Sequence, residues 1–338
     1  MAKYSNIANV SLSVAVWLAH DEYDYNDDPN TLSVTSLIKP IREIVLSRRI
    51  QVDDGFEPDP IEVIGQVASS MGTAFHESIE RSWRSPKLVE TLVLLGTPRS
   101  VAKRIKINPT AEMMEADPKI IPVYMEQRAS RKVGKYTISG KFDFIKAGRL
   151  EDFKSTSTFT YVNKTNDKKF QLQGSLYRWL NPDKITDDYM AIQFIFTDWQ
   201  AARAKSDPKY PQTRVLEYPI ELHSVMKTDR YVKARLKQMD DLVDTEQQYL
   251  PDCTPEELWQ KDPVFKYYKN PATAAKGGRA TKNFMTLLEA NQLKAKNGGV
   301  GVVKTVFGEA KACNYCKACS ICEQRDRLIE EGILCIMV

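Results

Sequence analysis

Three successive stretches of residues 121–157 alternate apolar and polar positions, the pattern of strands that bury one face. They read IPVYMEQRAS, KYTISGKFDFI and RLEDFKSTS. Turn-forming residues separate them, with Lys132-Val133-Gly134 in the first gap and Ala147-Gly148 in the second. We predict a three-stranded antiparallel meander here.

Helical spacing surrounds this meander. DPIEVIGQVASSMGTAFHESIERSW predicts a helix that starts near Asp59-Pro60, and KKFQLQGSLYRWLN predicts one that stops before Pro182. YMAIQFIFTDW predicts a strand buried on both faces. SVMKTDRYVKARLKQMDDLVDTEQQYL predicts a long helix ending at Pro251, and KGGRATKNF and KAKNGGVGVVK are typical of mobile loops.

This order of elements predicts an α/β fold, with a mixed central sheet flanked by helices, helical additions at both ends and a cysteine-rich tail. TLSVTSLIKPIREIVLSRRI adds a strand or turn followed by a helix. We expect an N-terminal helical and loop region at 1–60, a core at 61–250 and a basic C-terminal region at 251–338.

The apolar segment IANVSLSVAVWLA predicts a buried or half-buried helix. It differs from a signal peptide because Asn and Ser interrupt it and the acidic DEYDYNDDPN follows. No apolar run approaches the length of a membrane span, so we expect no membrane partner. Four of six cysteines crowd into CNYCKACSIC, which favours metal ligation in a reducing compartment and a cytoplasmic location.

Charge distribution is more informative than net charge, which is only +4 over 338 residues. Between Val264 and Lys311 there are nine Lys and Arg residues against two acids. Such a tract is typical of nucleic-acid binding, although an ordinary solvated face also produces it. Lys276, Arg279 and Lys282 are the candidate DNA contacts within it.

The candidate chemistry lies on the meander. A tight hairpin can bring Asp143 on its second strand close to Asp152 on its third, and Lys154 shares a face with Asp152 because strand side chains repeat every two residues. Two carboxylates suit Mg²⁺ or Mn²⁺, and a lysine can neutralise charge that develops on a phosphate. Alternatively, Asp152 and Lys154 form a surface ion pair of little consequence. Glu151 points to the opposite face and is assigned a structural role.

GTAFHE, GKFDFI, EDFK and QGSLY, in this order, resemble the successive motifs of RecB-like nucleases of the PD-(D/E)XK superfamily. That group includes the AddB nuclease domain, the CRISPR-adaptation nucleases and, more distantly, lambda exonuclease. The resemblance covers residues 76–199 and the cysteine tail. It implies a restriction-endonuclease-like core and a stand-alone nuclease of the kind common in bacteriophage genomes, which would act in the host cytoplasm.

The resemblance also implies a role for each matching residue. The implied metal ligands are His76, Asp143, Asp152 and the backbone carbonyl of Phe153. Lys154 matches the catalytic lysine, and Gln173 and Tyr177 match a motif that braces the site and contacts DNA. Glu126 matches an acid with a supporting role.

Cys313, Cys316, Cys319 and Cys322 follow one another at three-residue intervals. In the family, a C-x2-C-x5-C tail and one cysteine upstream of the histidine motif hold an iron–sulfur cluster. This chain departs from that pattern, since no cysteine precedes Cys253. Cys319 could be the fourth ligand of a [4Fe–4S] cluster or of zinc, with Cys253 or Cys335 as substitutes. The alternative is that the thiols pack as a metal-free apolar knot.

The expected function is therefore a Mg²⁺- or Mn²⁺-dependent deoxyribonuclease, with an exonuclease of DNA recombination, repair or replication favoured. A partner protein from those processes is possible. The alternatives are an endonuclease of restriction or resolving type and a non-catalytic DNA-binding or structural protein that retains the fold.

Overall fold

The computed structural model describes residues 3–21, 28–51 and 60–335, except the side chain of Gln51. The chain forms two compact units. The first comprises Met1–Ile38 and Glu57–Lys237, and the second comprises Lys39–Phe56 and Gln238–Val338. Asp59 and most of the acidic DEYDYNDDPN segment lie outside the described residues.

The strands are β1 Tyr4–Ser5, β2 Thr31–Ser33, β3 Ile61–Glu62, β4 Ile105–Ile107, β5 Ile121–Val133, β6 Tyr136–Lys146, β7 Arg149–Thr156, β8 Tyr189–Phe196, β9 Val215–Glu221, β10 Val264–Tyr268, β11 Lys282–Phe284 and β12 Val302–Val306. The helices are α1 Leu12–Ala19, α2 Val34–Leu37, α3 Ile41–Gln51, α4 Val67–Trp83, α5 Leu88–Leu94, α6 Arg99–Ala102, α7 Ala111–Ala116, α8 Thr158–Asn163, α9 Asp167–Leu180, α10 Ala201–Ser206, α11 Val225–Leu242, α12 Pro271–Ala275, α13 Leu287–Lys296 and α14 Glu323–Glu330. Short 3₁₀ turns lie at Val63–Gln66, Gln247–Tyr249, Lys311–Tyr315 and Cys319–Ile321.

A mixed sheet in the order β4-β5-β6-β7-β8-β9 forms the centre of the first unit, and β2 also pairs with β6. The pairs β5–β6 and β6–β7 are antiparallel, so the predicted meander is confirmed. Strand β8 runs parallel to β7 and antiparallel to β9. The α/β class with a mixed central sheet flanked by helices is also confirmed.

Helix α9 lies close against this sheet because two glycines leave room for it. A Cβ atom on Gly140 of β6 would stand 2.9 Å from Cε1 of Tyr177. One on Gly174 of α9 would stand 2.8 Å from Cδ2 of Leu222. Contacts this short exclude a side chain at either position without repacking. The close approach brings Gln173 of α9 within hydrogen-bond reach of Asp152 on β7.

Helix α4 begins later than the sequence predicts. Ile61–Glu62 instead form strand β3, which pairs in parallel with β1, and a 3₁₀ turn follows before the helix starts at Val67. The side chain of Glu62 accepts hydrogen bonds from Ser5 Oγ at 2.6 Å and from the Ile7 N–H at 2.9 Å. These contacts with a distant segment hold residues 61–62 extended despite their helical spacing.

The long helix α11 ends at Leu242, before the predicted stop at Pro251. Arg49 explains the early end, since its guanidinium donates to the carbonyl oxygens of Val243 at 3.1 Å and Thr245 at 2.5 Å. These carbonyls follow the helix and would otherwise lack helical partners. Only one 3₁₀ turn, Gln247–Tyr249, follows before Pro251.

The segments predicted as mobile loops are also partly regular. KGGRATKNF contains β11, and KAKNGGVGVVK contains the end of α13 and the start of β12. Strand β10 pairs with both β11 and β12 to form a three-stranded antiparallel sheet in the second unit. Its pairing partners are distant in sequence, so a local pattern of Gly and Lys could not reveal them.

The segment IANVSLSVAVWLA contains α1, in which Ala15 and Leu18 are buried whereas Leu12 and Val16 are exposed. The helix is therefore half-buried at most. Throughout residues 3–21, 28–51 and 60–335, each helix is too short or too polar to cross a lipid bilayer.

Candidate active site

The hairpin between β6 and β7 places Asp143 and Asp152 on facing positions. Phe144 pairs with Glu151 and Lys146 with Arg149, so the same register continued by one residue sets the two aspartates opposite each other. Ala147 and Gly148 connect the strands with positive φ angles of 51° and 83°. Two such residues in succession form the tight turn that the sequence predicts at this point.

The pairing of β6 with β7 stops at these aspartates, and the side chain of Asp143 takes the place of a backbone partner there. Oδ2 of Asp143 accepts the backbone N–H of Phe153 at 2.9 Å, in place of a carbonyl of a neighbouring strand. Burial and the charge of Asp152 together raise the pKa of Asp143 from 3.8 to about 7. Lys154, His76 and the Phe153 N–H oppose this rise. Asp143 therefore ionises far more readily when a cation is nearby.

Asp152 is the most enclosed acid of the site, with only 2% of its surface exposed. Its Oδ1 atom accepts a hydrogen bond from Gln173 Nε2 of α9 at 3.3 Å. Its Oδ2 atom lies 2.5 Å from Lys154 Nζ, in a close ion pair. The short distance confirms that Asp152 and Lys154 share one face of β7.

Lys154 remains a cation in this setting. Burial lowers its pKa, but the fields of Asp152 and Asp143 and the contact with Asp152 outweigh burial, so the pKa is raised overall. A half-buried ammonium paired with a buried carboxylate differs from the exposed ion pair that the alternative interpretation requires. The surface ion pair is therefore a poor description of this site.

His76 of α4 also contacts this site. Its Nε2 atom lies 3.0 Å from the carbonyl oxygen of Phe153, and its Nδ1 atom lies 3.5 Å from Asp143 Oδ2 and 4.0 Å from Glu126 Oε1. If Nε2 donates to that carbonyl, the lone pair of Nδ1 faces the two acids. His76, Glu126 and Asp143 each offer a ligand atom, and these atoms lie within 4.8 Å of one another.

Glu126 has an unusual backbone for a residue within a strand. Its φ angle is 50°, and the β5–β6 pairing is interrupted where it faces Asp143. A non-glycine residue with this conformation is strained and persists only when its surroundings hold it. Lys141 holds its carboxylate in an ion pair at 2.6 Å.

Asn108 supports this strained backbone, although no sequence pattern marks it as a site residue. Its side-chain amide accepts the N–H of Met125 at 2.8 Å and donates to the Met125 carbonyl at 3.0 Å. The amide thereby replaces a neighbouring strand just before Glu126. The dipeptide Asn108-Pro109, directly after strand β4, is a turn signal. It does not reveal that the Asn108 side chain contacts Met125.

Helix α9 braces the site through Gln173 and Tyr177. Besides its bond to Asp152, Gln173 Nε2 lies 3.3 Å from the hydroxyl oxygen of Tyr177. Glu151 stands apart, since its carboxylate contacts Arg149 at 2.8 Å and Gln193 at 3.1 Å. This agrees with the structural role that the sequence assigns to Glu151.

The site suits a hard divalent cation. Mg²⁺ and Mn²⁺ bind carboxylate and carbonyl oxygens, and both kinds are present here beside the imidazole of His76. Asp152 Oδ2 is buried, and a buried carboxylate charge is costly unless a cation lies near it. The Lys154 ammonium partly compensates the charge of this carboxylate, and a metal ion would compensate the remainder.

The other predicted residues belong to the second unit. Lys276, Arg279 and Lys282 are exposed in and before β11, where they are accessible to a polyanion. Cys313, Cys316, Cys319 and Cys322 are partly buried free thiols.

No protein-family model matches this sequence, and no curated protein matches it. Two solved structures are similar to the fold at 14% sequence identity. The crystal structure of SSO0001 has a TM-score of 0.36, with 68% of this chain and 87% of that chain covered. A phage-related exonuclease from Haemophilus somnus has a TM-score of 0.34, with 63% of this chain and 95% of that chain covered. At these values neither similarity assigns an activity to this chain.

Proposed function

We propose that this chain is a Mg²⁺- or Mn²⁺-dependent deoxyribonuclease that acts as an exonuclease in DNA recombination, repair or replication. One observation carries the proposal: Asp143 and Asp152 lie at facing positions of two strands, with the Lys154 ammonium 2.5 Å from Asp152. Phosphodiester hydrolysis needs a bound cation, a positioned water and compensation of negative charge. The two aspartates can bind the cation, and Lys154 with the cation can position the water and compensate the charge.

The acids and His76 would hold the cation. His76, Glu126 and Asp143 each offer a ligand atom, and these atoms lie within 4.8 Å of one another. Asp152, beside Lys154, and the Phe153 carbonyl, beside His76 Nε2, would be additional ligands. When bound, the cation would acidify an attacking water and offset charge on the phosphate.

Lys154 would act on the substrate. Its ammonium can donate to a non-bridging phosphate oxygen or to the attacking water, because it has three donors and its salt bridge engages one carboxylate oxygen. Water would attack phosphorus, the P–O bond to one sugar would break, and the departing oxygen would take up a proton. Gln173 would keep Asp152 oriented throughout.

A cleavage assay on end-labelled linear DNA with Mg²⁺ or Mn²⁺ tests the proposal. We expect Asp152→Ala and Lys154→Ala each to lower the rate by about 10²-fold or more, because each removes charge that the transition state needs. Glu151→Ala is the matched control, since Glu151 lies on the same strand away from the site. Absence of wild-type cleavage, or equal rates in all variants, would favour a non-catalytic DNA-binding protein.

Circular DNA distinguishes the two kinds of nuclease. An exonuclease needs a free end, so linear substrate should disappear while covalently closed plasmid and circular single strands persist. Cleavage of the circles that Asp152→Ala abolishes would instead identify an endonuclease. The circles therefore test end dependence separately from hydrolysis itself.

A further inference from the structure

Two aromatic rings of the second unit lie side by side on the surface. The ring centroids of Trp259 and Tyr315 are 5.6 Å apart, with 40° between the ring planes. Trp259 is 55% exposed and Tyr315 is 67% exposed. Aromatic side chains stabilise a fold mainly when they are buried, so an exposed pair in mutual contact points to a surface for a partner.

The backbone of Trp259 is strained, with a φ angle of 54°. Its N–H donates to the Glu256 carbonyl at 3.1 Å, and the Gln260 N–H donates to the Pro255 carbonyl at 2.9 Å. These two hydrogen bonds form a Schellman motif, in which glycine usually occupies the left-handed position. A bulky residue is costly there and persists only when its surroundings hold it, which is typical of functional positions.

Hydrogen bonds on both sides of Trp259 fix its place. The Leu258 carbonyl accepts the N–H of Ala312 at 3.1 Å, and Gln260 Nε2 donates to the Gly308 carbonyl at 2.9 Å. Leu258 is itself buried in a small apolar core. The chain therefore buries the aliphatic neighbour and leaves the indole outside, beside the 3₁₀ turn of the cysteine tail.

A lysine follows each of the two rings by two positions. These residues, Lys261 and Lys317, are both exposed. The exposed acids Glu256 and Asp262 lie close to them in sequence, so the local net charge is small. A partner that presents flat rings together with some negative charge suits this surface better than a partner recognised by charge alone.

Single-stranded DNA has these properties. Its bases expose flat faces that stack on aromatic side chains, and its phosphates accept hydrogen bonds from ammonium groups. A duplex hides the base faces within its own stack and presents a dense negative charge, which calls for many basic residues. The exposed ring pair with only two flanking lysines therefore fits a single strand.

We propose that Trp259 and Tyr315 form a stacking platform for the bases of single-stranded DNA, with Lys261 and Lys317 contacting its phosphates. The inference rests on the proposed action on DNA and adds to it a binding site in the second unit. Because every base has a flat face, the platform holds a strand irrespective of its sequence.

Fluorescence anisotropy of a labelled thymidine oligonucleotide tests the platform. The full chain is titrated in a chelator, so binding is measured without hydrolysis. Trp259→Gly removes the ring but suits the left-handed backbone. We expect Trp259→Gly and Tyr315→Ala each to weaken binding by about 5-fold or more, whereas Trp259→Phe and Tyr315→Phe keep a ring and stay near the wild type. Tyr249→Ala is the matched control, since Tyr249 is a 71% exposed tyrosine of the same unit.

An abasic strand of the same length distinguishes stacking from charge. It keeps the phosphates but lacks the bases, so the wild type and Trp259→Gly should bind it equally. Both proteins should also bind duplex DNA equally. Equal binding of the thymidine strand by the wild type, Trp259→Gly and Tyr315→Ala would overturn the proposal, as would an equal loss on the abasic strand.

Photocrosslinking of the wild type gives the answer even if a variant fails to fold. A strand that carries 5-iodouracil is irradiated with the full chain in a chelator, and the crosslinked residues are identified by mass spectrometry. We expect crosslinks at Trp259 or Tyr315, and crosslinks confined to other residues would refute the platform. Because no divalent cation is present, this result is independent of whether the chain hydrolyses DNA.

Discussion

Gln173 of α9 donates a hydrogen bond to Oδ1 of Asp152 on β7 at 3.3 Å, and this bond joins a helix to the buried acid of the site. Since Asp152 is 2% exposed, protein groups alone determine its orientation. Groups that orient a metal-binding carboxylate typically change metal affinity or activity 10–100-fold when removed.

We therefore expect Gln173→Ala to lower nuclease activity by about 10-fold or more and to raise the Mg²⁺ concentration needed for half-maximal rate. Gln171→Ala is the control, because Gln171 lies on the same helix but donates to the carbonyl of Glu221 at an exposed position. A titration of rate against Mg²⁺ measures both effects. Equal curves of rate against Mg²⁺ concentration for the two variants would show that Gln173 packs in the core without orienting Asp152.

The protonation of Asp143 predicts how stability depends on pH in metal-free protein. Burial and Asp152 raise its pKa from 3.8 to about 7, so the folded protein retains a proton that the unfolded chain releases. Folding stability should then fall as pH rises between these two values, and the loss is complete above the folded pKa. Thermal unfolding in a chelator across this range measures the slope, which should be smaller in Asp143→Asn. Parallel profiles for the two proteins would contradict this assignment.

The packing of α9 predicts a stability difference between two glycines. A Cβ on Gly174 would meet Met190 and Leu222, so Gly174→Ala should destabilise the fold by about 1–3 kcal/mol. Gly65→Ala is the control, because no atom lies within 4 Å of its added Cβ. Urea unfolding measures the free energy of unfolding of both variants. A neutral Gly174→Ala would mean that α9 can shift away from the sheet at little cost.

The basic residues of the second unit predict a salt-dependent affinity for DNA. Replacing Lys276, Arg279 and Lys282 together by Gln should weaken binding and reduce the slope of log K against log salt by about 2–3, at ~0.9 for each phosphate contact on duplex DNA. The control variant combines Lys276→Arg, Arg279→Lys and Lys282→Arg. It keeps the positive charge, so it should keep the slope. Fluorescence anisotropy at several salt concentrations distinguishes the two. An unchanged slope in the Gln variant would remove these residues from the interface.

Much of the core could be predicted because its contacts are local. Alternation, two turn signals and the i, i+2 relation of Asp152 and Lys154 define the meander without reference to distant residues. Strand β9 was missed because it lies at the sheet edge and contains Pro219, which weakens any strand pattern. Within residues 3–21, 28–51 and 60–335, β8 is its only sheet partner.

The site shows the same division between local and distant contacts. The acids and the lysine follow from strand periodicity and from the family resemblance. The left-handed backbone of Glu126, and the amide of Asn108 that supports the strand beside it, depend on a contact across 17 positions of the chain. The nearness of Cys253 to the tail likewise depends on Gln324, which no spacing rule identifies.

The account depends most on a divalent cation binding between β6, β7 and α4. A crystal soaked in Mn²⁺ and measured for anomalous scattering tests this directly. The account predicts a strong peak bonded to Asp143 and Asp152 and within reach of His76, and no such peak in Asp152→Ala. A map with no peak there, or with manganese bound only at other carboxylates, would contradict it.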